Sequence, residues 1–359
     1  MSNPVLKEYG KPTIFYAPNL REVSHTVPGR FCDLEGISEL TYLLQGMDFR
    51  RPEYRRECFL RFYELHLQFR AHPGGVYFLL PYLRDIYMLG LEDSLWLAFI
   101  NGNTQNPITT WIIWKEFHTL PTISDNHSLE VWFNENYDNL EFDTDRRYHK
   151  KEFLRSVECY RREVSPSQVA YFNRSTDEHQ NFREVWKLVS KKFWSFGRLS
   201  TFSYLEYLRI VGIHLDCDQL FLEDMEGSKS HRNGLAKVLG RDDLDWHESN
   251  PTGFKGGYTP KVLGWLKEEA AQLLAEAKVR FVGRDFYRDV SYFTLESAFC
   301  TYKSWFRPNR RYPGVYLDMM HDRIKRAEKK WPTVSFELFW EARRQYLPRY
   351  LRLEDRPKD

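Results

Sequence analysis

Five cysteines are all this chain of 359 residues has, at positions 32, 58, 159, 217 and 300, and no two form C-x-x-C. That scatter argues against a disulfide framework and a structural zinc site, and fits a reducing compartment. Apolar runs approaching the ~18 residues of a membrane span are missing. Lys7 and Glu8 precede any apolar stretch, so a signal peptide is not expected either. An excess of one charge is also lacking. Formal net charge is +2, so any surface for a polyanion must be a local patch. There is no G-x-x-x-x-G-K-[ST] phosphate loop, no internal repeat and no low-complexity tract. Strand signals are few and short. What is present is a core: 42% hydrophobic and 16% aromatic residues exclude a disordered class. The 22 tyrosines and 11 tryptophans are mostly core material, though planar rings also stack on bases. These features together predict a soluble, cytoplasmic, mainly α protein.

Residues 1–50 carry prolines at 4, 12, 18 and 28 and read as an irregular arm packed on the core. Residues 51–359 read as a single compact helical catalytic domain with few short strands. Phe59, Phe62, Leu65 and Phe69 recur at helical spacing over 52–69. A kinked helix is expected over 76–87 around Pro81, and another over 91–100 running into the loop Asn101-Gly-Asn-Thr-Gln-Asn-Pro107. Pro107 opens the next helix. A helix over 128–140, a charged loop over 142–151 and cap-then-proline helix starts at Ser165-Pro166 and Thr259-Pro260 follow. The second of these heads a stripe of Val262, Leu263, Leu266, Ala270, Leu273, Leu274 and Ala277. Later helices are expected over 290–306, 315–330 and 335–345.

The stretch Glu226-Gly-Ser-Lys-Ser-His-Arg-Asn-Gly234 carries the most chemistry. Lys229, His231 and Arg232 stand among Ser228, Ser230 and Asn233 between two glycines, donors suited to a phosphate or pyrophosphate. The bland alternative is a polar turn capping a short helix ended by Gly240. In the Asn101 loop, the amides of Asn101, Asn103, Gln105 and Asn106 can bond a base edge or an amino acid, or merely suit a turn. Asp143 and Asp145 can offer oxygens to Mg²⁺, and Arg146, Arg147, Lys150 and Lys151 can track a nucleic-acid backbone; the alternative is a self-neutralising charge run. Arg198 follows Gly197 at a helix start, where a guanidinium can clamp an anion. Ser203 and Glu206 match a capping box, a structural account of Glu206. Glu296, Cys300 and Lys303 share one helix face, as a reactive stripe or an exposed one. Arg310 and Arg311 form a second basic cluster beside aromatics.

In this order the segments NGNTQNP, FDTDRRYHKK, FGRLSTFSYLEYLRI, EGSKSHRNG, TLESAFCTYKSW and RRYPGVYLDM resemble the phage amino acid:DNA transferases, also called α-glutamyl/putrescinyl-thymine pyrophosphorylases. The resemblance covers about residues 55–355. It implies a helical fold related to helix-hairpin-helix DNA glycosylases and a role in thymine hypermodification in the host cytoplasm. A separate kinase first converts 5-hydroxymethyluracil in double-stranded DNA to its pyrophosphate ester. The transferase then replaces pyrophosphate with an amino acid or polyamine. For that reaction Arg198, Ser228, Lys229, Ser230 and Arg232 suit the leaving group. His231, Glu226 and Glu296 are candidate bases, and the target nucleotide is expected to flip outward. No cofactor is required, and Mg²⁺ is compatible. A helical glycosylase or nuclease-like enzyme, or a non-catalytic DNA-binding module, are the other readings.

Overall fold

The computed structural model describes residues 47, 49, 51–69, 76–143, 147–220, 222, 229–244, 259–303 and 319–346. Among them every regular element is a helix. In chain order these are α1 (Pro52–Phe69), α2 (Val76–Ile86), α3 (Leu91–Thr104), α4 (Pro107–Glu116), α5 (Asn126–Asn136), α6 (Arg147–Val164) and α7 (Gln168–Phe172). Then come α8 (Glu178–Lys192), α9 (Arg198–Val211), α10 (Lys229–Val238), α11 (Pro260–Arg280), α12 (Tyr292–Tyr302), α13 (Met319–Lys330) and α14 (Glu337–Tyr346). No helix among the described residues is long and apolar enough to cross a membrane. The all-α class read from the sequence therefore holds, and the expected short strands are absent from the described residues.

The chain divides into two compact units. The first comprises residues 1–74, 218–321 and 343–359, and the second residues 75–217 and 322–342.

In the first unit α1, α10, α11 and α12 share one core. The α1 stripe does what its spacing predicts: Phe59, Phe62 and Leu65 are buried. Phe59 stacks on Phe299 at 4.9 Å and meets Tyr302 edge-on at 5.3 Å. Phe49 is buried in the same core. Thr259 caps α11, its side chain accepting from Val262 N, with Pro260 in the first turn. Leu266, Ala270, Leu273, Leu274 and Ala277 then face inward.

His66 of α1 lies in this core against the Phe62 ring, at 5.4 Å. Burial pushes its pKa down to about 3. It therefore stays neutral in the folded state while the unfolded chain takes up a proton below about 6.5. Its contribution to stability is complete above that pH and is lost as pH falls towards 3. Replacing His66 by Phe is expected to flatten the acid arm of the stability profile by about one proton, ~1.4 kcal/mol per pH unit. Urea unfolding at a series of pH values measures this, and an unchanged slope contradicts it.

The second unit is built on α3, which packs against α4, α6, α7 and α9. Phe99 stacks on Tyr160 at 3.8 Å, with Phe193, Phe196 and Tyr204 around them. Several boundaries differ from the sequence expectation. The α3 helix continues through Asn101, Gly102, Asn103 and Thr104 and breaks at Gln105, whose φ is 46°. Its polar last turn is held inside, which composition alone does not reveal. Gly102 belongs there because an added Cβ would sit 3.0 Å from the Tyr204 ring. The expected helix over 128–140 is α5, displaced towards the N-terminus. The charged stretch 142–151 is helical from Arg147, where α6 begins. Ser165-Pro166 is a cis peptide rather than a helix start; Ser167 is the cap of α7, accepting from Ala170 N at 3.2 Å. Ser203 and Glu206 are not a capping box either. The α9 helix starts earlier, at Arg198 after Gly197, so both residues lie mid-helix and buried.

Candidate active site

Ser230, His231, Arg232 and Asn233 are helical, not a loop, because α10 starts at Lys229. The helix ends as predicted at Gly240, where φ is +69°. Residues 231–236 are buried around the whole helix, so its polar side chains must find partners inside the protein. Gly234 makes the burial possible. An added Cβ there would meet the Phe299 carbonyl oxygen at 2.2 Å, so α10 lies with its backbone against that of α12.

That approach brings together side chains far apart in the chain. His231 Nδ1 lies 3.2 Å from Glu296 Oε1, with the two side chains only 1% and 4% exposed. One α10 residue earlier, Lys303 Nζ donates to Ser230 Oγ at 2.6 Å, and Lys303 is 4% exposed. The stripe expected on α12 is thus an inward face at Glu296 and Lys303, with Cys300 half-buried. Arg232 turns inward and donates from Nη1 to the Leu222 carbonyl at 3.3 Å. A carboxylate at Nδ1 fixes the orientation of the imidazole. An ammonium beside a hydroxyl on the same helix pair is a donor set for an anionic oxygen. Glu226 and Ser228 lie outside the described residues, and the Lys229 side chain is not described.

The candidates in the second unit are placed as follows. Asn101 Oδ1 accepts from Thr110 Oγ1 at 3.1 Å. Asn103 Nδ2 donates to Phe99 O at 3.0 Å, and its Oδ1 lies 3.3 Å from His149 Nδ1. Asn106 caps α4, accepting from Ile108 N and Thr109 N, both at 3.1 Å. Gln105 Nε2 donates to Tyr207 OH at 3.4 Å. Arg198 is half-buried, its guanidinium carbon 5.4 Å from the Phe202 ring centre. Asp143 pairs with Arg323. Burial pushes the Asp143 carboxyl up while the Arg323 guanidinium pulls it down. A guanidinium on this carboxylate opposes a dication there, and among the described residues no group of three His, Cys, Asp or Glu could hold a metal. Lys150 Nζ donates to Leu140 O at 2.8 Å and stands 4.1 Å over the Tyr137 ring. Burial lowers its pKa. Lys151 is exposed. Arg147 opens α6 but its side chain is not described, and Asp145, Arg146, Arg310 and Arg311 lie outside the described residues.

The family model for amino acid:DNA transferase matches residues 81–311, more than half of the chain. The chain belongs to the amino acid:DNA transferase family. It is 28% identical over 329 residues to a serinyltransferase of Salmonella phage ViI, covering 87% of this chain and 78% of the relative. No solved structure matches it.

As an amino acid:DNA transferase the protein modifies DNA, and its substrates are DNA and an amino acid. Three buried residues of this transferase have partners that the sequence did not reveal. Lys303 carried a signal, its i+7 spacing from Glu296, but its partner Ser230 is distant in sequence. His149, within the charged run 142–151, is fully buried between Asn103 and Ser200, whose Oγ is 3.4 Å from Nε2. Arg323, the partner of Asp143, also donates to Gln105 O at 3.4 Å and left no sequence signal.

Proposed function

We propose that this transferase exchanges an amine for pyrophosphate on 5-pyrophosphoryloxymethyluracil in double-stranded DNA. Serine is the first amine to try, because the phage relative is named a serinyltransferase. The observation that carries the reading is the buried His231–Glu296 pair beside Lys303 and Ser230. The amine nitrogen attacks the base methylene carbon, the carbon–oxygen bond breaks, and pyrophosphate leaves with the electron pair. The His231 imidazole takes the proton released by the attacking amine, and Glu296 stabilises the imidazolium that forms. Lys303 and Ser230, with Lys229, meet the charge growing on the departing oxygen. A kinase that phosphorylates 5-hydroxymethyluracil must act first, since a hydroxyl is a poor leaving group. The methylene faces the major groove of a stacked duplex, whereas the His231–Glu296 pair is buried, so the nucleotide leaves the stack to reach it.

The test of amine choice is nucleoside mass spectrometry on DNA carrying the pyrophosphate ester, incubated with the protein and an equimolar panel of amino acids and polyamines. A serine adduct in excess of all others is expected. A polyamine adduct in excess would replace serine and leave the exchange chemistry standing. No adduct with any amine, from protein that binds the DNA, would sink the reading.

A further inference from the structure

The turn after α2 exposes three apolar residues in a row: Ile86 at 44%, Tyr87 at 38% and Met88 at 89%. Such residues gain nothing from water, and Met88 also has an unfavourable backbone, with φ of 50°. The local hydrogen bonds explain the angle. Met88 N donates to Asp85 O at 3.3 Å and Leu89 N to Arg84 O at 2.9 Å, the pairing of a Schellman helix end. The left-handed position of that motif ordinarily holds glycine. Here a long thioether occupies it and touches little of its own protein. The turn is nevertheless firmly rooted. Trp111 Nε1 donates to Tyr87 OH at 3.0 Å, and the Tyr87 ring lies 4.7 Å from that of Trp114. Around this root stand Arg84, paired with the neighbouring Asp85, and exposed Lys115, its Nζ 5.0 Å from the Trp111 ring centre.

A rigid mount, an unbranched apolar tip in a strained conformation and the exposed Lys115 beside it form a device for entering a base stack. Apolar side chains inserted between base steps unstack and kink a duplex, while cations hold the phosphates on either side. We propose that Met88, supported by Ile86 and Tyr87, is a wedge that enters double-stranded DNA and fills the space a displaced nucleotide vacates. The backbone strain is then the cost of presenting the side chain outward. This rests on the base-extrusion part of the reading above, but not on its leaving group, its amine or His231.

The test uses DNA that already has a vacancy. Binding of the full-length protein is measured by fluorescence anisotropy on two unmodified duplexes, one fully paired and one with a single abasic-site analogue. The wedge should enter the gapped duplex without unstacking a base, so the native protein is expected to favour it by about tenfold, the equivalent of ~1.4 kcal/mol. Met88→Gly should lose that preference, while its Tm stays level or rises by up to ~3 °C as the left-handed strain is relieved. Met88→Leu should keep the preference. Equal binding of the two duplexes by the native protein overturns the wedge, as does a Met88→Gly variant that still prefers the gap. If Met88→Gly leaves the DNA preference intact and instead abolishes self-association in size-exclusion chromatography, the tip is a protein contact and the proposal is wrong. Because neither duplex carries a modified base, failure of the pyrophosphate chemistry leaves this outcome untouched.

Discussion

Gly234→Ala is expected to be the most destabilising glycine-to-alanine change among the described glycines, by about 3 kcal/mol or more. The new Cβ would stand 2.2 Å from the Phe299 oxygen and 2.6 Å from its carbonyl carbon. Both are backbone atoms, so no side chain can swing aside to make room. The α10 and α12 helices must separate, and Leu235, Ala236 and Phe299 lose packing together. The His231–Glu296 and Lys303–Ser230 distances depend on the same approach, so turnover should fall with stability. Gly264 supplies the internal control. It lies in α11 with nothing within 4 Å of an added Cβ. Gly264→Ala should therefore stabilise by roughly 0.5–1 kcal/mol, the ordinary gain on replacing a helical glycine. Urea midpoints of the two variants should move in opposite directions. Equal shifts would mean that α10 and α12 do not touch backbone to backbone.

The second large effect is expected at His231. Under the proposed mechanism His231→Gln keeps a hydrogen-bonding side chain beside Glu296 but cannot accept the amine proton. Turnover should drop by roughly two to four orders of magnitude, while DNA binding and the unfolding midpoint change little. Glu296→Gln should reduce turnover less, because the imidazole remains and loses only its oriented, charge-stabilising partner. Single-turnover kinetics with both variants separates these cases. Near-normal turnover in His231→Gln removes the residue from the mechanism. Joint loss of stability and activity assigns the His231–Glu296 pair to holding two helices together.

The helices that sequence reading located best are those whose apolar residues all face one way. The α1 stripe and the Thr259-capped α11 follow from periodicity and capping chemistry alone. It failed where polar residues lie inside. Ser230 to Asn233 and Asn101 to Thr104 look like loops because donors and amides usually face water, yet both are helical turns. Their burial depends on tertiary partners, Glu296 and Lys303 in one case and Thr110 and His149 in the other. Ser203 and Glu206 show the reverse error. A correct local motif was overridden because Gly197 starts the helix earlier. At the candidate site, spacing placed Glu296 and Lys303 on one face, and composition singled out Ser230 and His231. That the two faces meet follows from Gly234, whose role only the packed helices reveal. The left-handed Met88 is likewise invisible in a sequence that has Gly90 two residues later.

The leaving group tests the central claim most directly. The protein is incubated with serine and two otherwise identical duplexes, one carrying 5-pyrophosphoryloxymethyluracil and the other 5-hydroxymethyluracil, and released pyrophosphate and aminated nucleoside are quantified together. The account predicts one pyrophosphate for each aminated nucleoside from the activated duplex and no product from the other. Equal amination of the plain hydroxymethyl duplex, or amination without pyrophosphate, would contradict it.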